Sequence, residues 1–408
     1  MKRFQGVPVL ILLTASAYAF ARFQGGHVPW FLFYVLLVML VYAALVRLFS
    51  LSGIEIIRHF STDRITQGER LRIQVFYRLQ RPFPLSWLLV RHHGGGTVYL
   101  DQDRHVDFPG WKRQGLFESY SVRLPRGRHH FGEVEVSSGD LFGFVEKRIT
   151  LPETKEVLVY PRIRPIRSWS TVNERNTGQS LSTLHIAEDV AAVVGVRDYS
   201  NRDRLSRIHW KASARGRGLK VKEFEQRITN DFLFVLDCWK GDGQTTASVS
   251  FERAVSLTAS LIHHALERRF SAGLLTTGQL PGQFPLGRGQ EHLLRLCEHL
   301  AEVKKDGDRP LKEPIAQQTP YLSRGMTVVV ITTQLEEELQ QAIMYLSHVG
   351  IRVECCWVSN GEPPTAVETA CYAQLRRWGV RCVSVTHDDF DQIFRGGDFH
   401  GMDAATGK

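Results

Sequence analysis

Between Arg3 and Arg22 the chain carries no charged residue at positions 4–21, and between Arg22 and Arg47 none at positions 23–46. A helix rises ~1.5 Å per residue, so about 20 apolar residues cross a ~30 Å hydrocarbon core, and each stretch is close to that length. The second is aromatic at its start (Trp30, Phe31, Phe33, Tyr34) and almost purely aliphatic afterwards, as a span with an interfacial belt should be. Gly25 and Gly26 leave room only for a tight turn, so residues 1–50 are expected to form a transmembrane helical hairpin. Ala17-Tyr18-Ala19 behind Lys2 and Arg3 also fits a cleaved signal peptide, which is the rival reading of the first span. Lys2, Arg3, Arg47, Arg58 and Arg64 lie on one side against Arg22 in the turn. Positive-inside counting therefore expects a multi-pass membrane protein with two spans and its soluble body in the cytoplasm.

At 408 residues the chain is too long for one ordinary core, and two or three domains are expected. Over 51–165 short alternating runs at 70–79, 88–93, 119–124, 133–137 and 157–160 are separated by turn signals such as Gln67-Gly68, Pro109-Gly110 and Ser138-Gly139. With no helical period among them, a β-sandwich domain is the economical reading. After a polar stretch the pattern becomes strands at 232–236, 272–276, 327–332, 352–358 and 380–385, alternating with helices at 251–269, 290–303, 336–348 and 366–378. Such alternation argues for a parallel sheet with helices on both faces. The expected fold class is thus α+β multidomain: hairpin, β-sandwich, a linker over 166–230, a doubly wound α/β domain over 231–393, and a disordered tail over 394–408.

All six cysteines lie in the C-terminal half, mostly in apolar runs and without a Cys-x-x-Cys pair, which suits a reducing compartment and core packing. Adjacent Cys355 and Cys356 should point to opposite faces of their strand. The net charge of +9 fits anionic headgroups or an acidic partner. No Gly-x-Ser-x-Gly elbow, His-Glu-x-x-His helix or phosphate loop is present. Cys371 with His387 downstream lacks any local signature of an activated nucleophile, and no small-molecule substrate is evident.

Residues 197–215 read Arg-Asp-Tyr-Ser-Asn-Arg-Asp-Arg-Leu-Ser-Arg-Ile-His-Trp-Lys-Ala-Ser-Ala-Arg. If a helix follows Asp203 as cap, Arg204, Arg207, Lys211 and Arg215 share one face. The plain alternative is a solvated rim of cations, with Tyr199, Ile208 and Trp210 packed on a neighbouring sheet. Two aromatics in the block are too few for a stacking platform, so nucleic acid is not expected as a partner.

Arg197, Asp198, Tyr199, Asp203, Arg207, Ile208, Trp210, Lys211 and Ala212-Ser213-Ala214-Arg215, followed by Val221-Lys222-Glu223-Phe224-Glu225, resemble the signature of the bacterial domain of unknown function 58 family. Arg126-Gly127, Gly132 and Asp140-Leu141-Phe142-Gly143 resemble its upstream β-domain signature. The chain departs from that pattern at Asn201-Arg202-Asp203, where Pro-Gly-Asp is usual, and at Leu141, where Pro is usual. The resemblance implies a membrane-anchored, non-catalytic interaction or scaffold protein without cofactors. It also implies a MoxR-type AAA+ ATPase as partner in envelope-related assembly, and an α/β domain similar to the von Willebrand factor A-like fold. That fold holds metal through an Asp-x-Ser-x-Ser loop, a Thr and a further Asp. Here the loop is Asp237-Cys238-Trp239-Lys240-Gly241 and the later strand ends in Ile331-Thr332-Thr333. Asp237 is the one weak metal candidate, and Lys240 would sit beside the cation. The alternative function is therefore a Mg- or Mn-dependent ligand-binding, adhesion or enzyme domain using Asp237.

Overall fold

The computed structural model describes residues 6–62, 64–80, 83–94, 100–101, 103–152, 155–169, 193–200, 208–215, 218–224, 231–241, 249–318, 322 and 326–395. The chain is a mixed α/β multidomain protein of two compact units, Met1–Tyr160 and Pro161–Lys408.

The first unit begins with α1 (Gly6–Gln24) and α2 (His27–Phe49). Both are long and apolar enough to cross a membrane, and only 22% and 11% of their most apolar windows are buried. A core helix of a soluble protein would be mostly covered; these are not. Gly25 and Gly26, at φ of 66° and 86°, make the reversal in a region that disfavours a Cβ.

Nine strands follow: β1 (Ile54–Phe60), β2 (Arg64–Thr66), β3 (Arg72–Leu79), β4 (Leu88–Gly94), β5 (Arg104–Asp107), β6 (Gln114–Tyr120), β7 (Gly127–Gly139), β8 (Glu146–Leu151) and β9 (Lys155–Tyr160). One sheet has the order β1-β3-β6, the other β2-β9-β7-β4-β5 with β8 also on β7. Strict alternation in β3 buries Ile73, Val75, Tyr77 and Leu79. They share one hydrophobic cluster with Val90 of β4, Val134 and Val136 of β7, and Val157 and Val159 of β9, so each sheet covers the other's apolar face. The strand expected at 119–124 lies earlier, at Gln114–Tyr120: full pairing with β3 ends at Tyr120, opposite Arg72.

In the second unit β10 (Val193–Asp198) and β11 (Lys220–Phe224) pair antiparallel, with the four-residue α3 (Trp210–Ser213) between them. Then come β12 (Asp231–Leu236), α4 (Val249–Glu267), β13 (Ser271–Thr276), β14 (Gly282–Gly287), α5 (Gln290–Glu302), α6 (Lys312–Gln318), β15 (Thr327–Thr332), α7 (Glu337–His348), β16 (Arg352–Val358), α8 (Ala366–Arg377), β17 (Arg381–Val385) and α9 (Phe390–Arg395). The sheet order is β14-β13-β12-β15-β16-β17. All pairings are parallel except that of β14 at the edge.

The pleat sorts side chains into two cores. Phe232, Phe234 and Leu236 of β12 face a cluster with α4, α5 and α9. Val235 faces the other, with α6, α7 and α8. Cys356 and Cys355 divide in the same way.

The segment read as a linker over 166–230 contains β10 and β11, and its start belongs to the α/β core. Trp169 is 1% exposed, packs on Phe232, Phe234, His264 and Phe394, and donates to Glu354 Oε2 at 3.2 Å. Ahead of it, Arg164 N donates to Ser260 Oγ and Ser256 Oγ to the Arg162 carbonyl. The division between units accordingly falls at Tyr160/Pro161 rather than at 165. The expected tail at 394–408 starts within α9, and its positions 396–408 lie outside the described residues.

Candidate functional site

Two places concentrate the predicted residues: the β10–β11 hairpin and the C-terminal end of the second unit's parallel sheet.

Among the described residues of the hairpin, the helix considered after Asp203 is present only at Trp210–Ser213. Ile208, 3% exposed, forms an extended bridge with Val221, and His209 N donates to the Lys220 carbonyl at 2.8 Å. Among the described residues helical geometry starts at Trp210, where His209 caps it: its Nδ1 accepts from Ala212 N at 3.0 Å. Ser213 closes the loop, its Oγ accepting from Lys220 N at 2.8 Å and bonding the His209 carbonyl at 3.1 Å. Asp198 sits opposite Lys220 in the register, and Lys220 Nζ reaches its Oδ1 at 2.6 Å. Arg197 Nη1 donates to the Asp198 carbonyl at 3.1 Å.

Tyr199 is half-buried, and its N donates to the Leu219 carbonyl. Trp210 is 69% exposed, and Lys211 and Arg215 are exposed. The block thus divides: Ile208 packs, while Trp210 does not. Asp203 and Arg207 lie outside the described residues, so the expected Asp203 cap does too. His209, Ser213 and Lys220 shape the loop; of these Ser213 belongs to the stretch that resembles the family signature, while His209 and Lys220 carry no local signal of their roles.

At the sheet end, β12 runs directly into Asp237, which is 7% exposed. Its Oδ1 accepts from Trp239 N at 3.1 Å and its Oδ2 from Thr332 Oγ1, at the end of β15, at 2.8 Å. Beside it, Cys238 N donates to Thr277 Oγ1 at 2.9 Å. Burial pushes the Asp237 pKa up, and those hydrogen bonds, the Lys305 charge and Thr277 pull against the rise. Lys305 is 1% exposed. Desolvation lowers its pKa, and the carboxylates of Asp237 and Glu336 act to raise it. Its loop is tied over the strand end by Gly307 N to the Cys238 carbonyl and Lys240 N to the Gly307 carbonyl.

Lys240 is not the cation of this site, as its sequence position suggested. Its Nζ pairs with Asp308 Oδ1 at 2.5 Å with both side chains more than half exposed. The internal cation is Lys305, which arrives from a loop 68 positions downstream (305 − 237). A cleft beside the cluster is lined by Asp237, Trp239, Gln334 and Glu336.

A divalent metal would need about six oxygen ligands here. Both Asp237 oxygens already accept internal hydrogen bonds, the serines of a metal loop are Trp239 and Gly241, and the nearby positive charge is covalent. The residues do not fit a divalent ion. Among the described residues no three His, Cys, Asp or Glu side chains are grouped as metal ligands.

All six cysteines are buried free thiols. Burial pushes Cys238 and Cys297 up to about 12, and it also raises Cys371, which donates to the Glu336 carbonyl. A raised thiol is a poor nucleophile at neutral pH.

Residues 195–355 match the family model described as Protein of unknown function DUF58. Over 350 residues the chain is 32% identical to the uncharacterized protein YeaD of Bacillus subtilis (strain 168), spanning 84% of this chain and 85% of that protein. Among solved structures, the PilB minor pilin from Streptococcus sanguinis aligns over 76% of this chain and 86% of its own at 10% identity, with a TM-score of 0.32. A CARDB domain from Pyrococcus furiosus covers 26% of this chain and 92% of its own at 12% identity, with a TM-score of 0.19. Similarities at that level carry no argument about fold or function.

Proposed function

Because the chain belongs to the DUF58 family, we propose that it is a membrane-anchored, non-catalytic interaction protein. In this reading α1 and α2 cross the membrane, the strands of the first unit form a β-sandwich, and the second unit is a von Willebrand A-like domain. The one hydrophobic cluster shared by both sheets of the first unit supports the sandwich. The parallel sheet with helices on both faces supports the second assignment. The excess of Lys and Arg beside the spans supports a body on the cytoplasmic side.

The observation that carries the reading is the state of Asp237. In a metal-dependent domain that carboxylate waits for a cation; in this chain Thr332, the Trp239 amide and Lys305 satisfy it from within. A domain so built keeps the strand-end platform without needing an ion to fold. Its exposed features are the side chains of Trp210, Lys211 and Arg215 on the β10–β11 hairpin, which offer cations and an aromatic to an acidic surface. A MoxR-type AAA+ ATPase, implied by the family resemblance, is the proposed partner, in envelope-related assembly.

The rival is a Mg- or Mn-dependent domain using Asp237. Thermal unfolding of the purified protein with and without millimolar metal separates the two, since a ligand that binds only the native state raises its melting temperature. An unchanged melting temperature is expected. A metal-dependent rise that vanishes in Asp237→Ala would replace the proposal with its rival.

A further inference from the structure

The body of the first unit is fastened to the hairpin well inside the helices. Tyr42 Oη lies 2.9 Å from Ser86 Oγ, and its ring meets Phe142 edge-on at 6.4 Å. Ala43 and Val46 are buried in a cluster with Leu10 and Val145, with Phe83 and Phe144 packed around it. Phe49 packs on Phe83 at 5.9 Å. On the first helix, a Cβ on Gly6 would come within 2.7 Å of the Phe144 backbone.

These contacts fix a depth. Starting at His27, a ~30 Å hydrocarbon core takes about 20 residues and ends near Val46. A tilt of ~20°, or a start nearer Trp30, moves that end later. Tyr42 and Ala43 therefore lie within the apolar layer or at its edge, and so do the groups touching them. Leu10, one turn inside α1, places Val145 at the same level independently.

At that level the body presents apolar side chains outward. Leu141 and Phe142 are 71% and 58% exposed, at the tip of a loop that Asp140 holds rigid. Asp140, 2% exposed, accepts from Val145 N at 2.6 Å and from Phe142 N at 3.1 Å, and Gly143 at φ 77° makes the bend. Phe108 and Trp111 are 73% and 77% exposed. Their loop is pinned by the reciprocal Leu85–Gly110 backbone bonds of 3.0 Å, beside the Phe83–Ser86 segment that touches α2. Lys112, Arg113 and Arg47 are exposed close by in sequence to these features. At the other end of the same strands, the turn after Tyr120 carries the exposed Arg123.

We propose that the 141–144 and 108–113 loops insert into the lipid interface on the body's side. Phe108, Trp111, Leu141 and Phe142 would act as a collar around the hairpin, with the cations toward anionic headgroups. Aromatic rings at the interface and Lys or Arg just outside it are the chemistry that a bilayer boundary favours. The inference rests on the reading that α1 and α2 span the bilayer.

The test uses the full chain in vesicles of equal parts phosphatidylcholine and phosphatidylglycerol, with an environment-sensitive fluorophore on Trp111→Cys, Phe142→Cys, Val35→Cys or Arg123→Cys. The six native thiols are buried, and unsubstituted protein measures residual labelling. Blue-shifted emission, quenched by lipids carrying a nitroxide just below the headgroup, is expected at 111 and 142, with none at 123. Labels at 111 and 142 that behave like the one at 123, while the label at 35 is quenched by deep nitroxide lipids, overturn the collar alone. An unquenched label at 35 overturns the spanning reading and the collar with it.

Discussion

Replacing Lys305 by methionine removes a positive charge from a site where the lysine is 1% exposed and faces Asp237 and Glu336. Methionine keeps most of the volume, so the change isolates the charge. Breaking a buried ion pair by deleting one partner costs ~3–5 kcal/mol, because the remaining charge stays buried without compensation. For a unit of this size each kcal/mol lowers the melting temperature by roughly 2–4 °C, so the expected loss is about 6–20 °C. The double variant Asp237→Asn with Lys305→Met removes both charges and should regain most of it, since the amide Oδ1 still accepts from the Trp239 amide and its Nδ2 can donate to Thr332 Oγ1, whose own proton then goes to the Gln334 carbonyl. Differential scanning fluorimetry on the detergent-solubilised full chain at neutral pH reads both numbers. A Lys305→Met protein melting within about 2 °C of the parent, or a double variant no more stable than the single, would refute the idea that Lys305 is the built-in counter-charge of Asp237.

Two further outcomes follow from the cores. His92 in the first unit is held neutral: burial, with the Arg58 and His105 charges adding, lowers its pKa to about 4. Above pH ~6.5 it is neutral folded or unfolded and contributes nothing to pH dependence. As pH falls below that value the unfolded chain takes up the proton first, so stability drops by about 2 kcal/mol by pH 5. Urea unfolding at pH 7 and pH 5 should show this loss, and a His92→Leu protein should show a smaller one; an equal loss in the variant would assign it elsewhere. Trp169→Ala should cost ~3–5 kcal/mol and take the Nε1 donor from Glu354, which is 3% exposed. Limited proteolysis should then cut soonest near 161–169, and an unaltered cleavage pattern would contradict the role of Trp169 as the pin of that strap.

Strands that are buried on both faces announced themselves. Val328, Val329 and Val330 in β15, and the Cys355-Cys356 pair in β16, are continuous apolar runs because helices cover each side of the sheet. Edge elements did not. β14 carries Pro285 and a single buried position, Gly282, which an edge strand tolerates and a pattern search passes over. Trp169 stands alone in a polar stretch, and only its tertiary neighbours make it core.

In the 197–215 block the regular spacing of cations suggested a helix, but pairing with Val221 holds Ile208 extended just ahead of the four-residue helix. Tertiary pairing there overrides local periodicity. Asp237 was legible as a strand-end acid. Its partner Lys305 was not, because nothing local distinguishes Lys305 from Lys304; only the loop over the strand end turns one inward.

In the proposed function the exposed Lys211 and Arg215 capture an acidic protein partner while the strand-end site only supports the fold. Affinity purification of the full chain from native membranes, beside a Lys211→Glu, Arg215→Glu double variant, tests it directly. A MoxR-type ATPase is expected to co-purify with the parent and to be lost with the variant, whose melting temperature is unchanged. Equal recovery of that ATPase with both proteins, or its absence from both, would rule out capture through these cations.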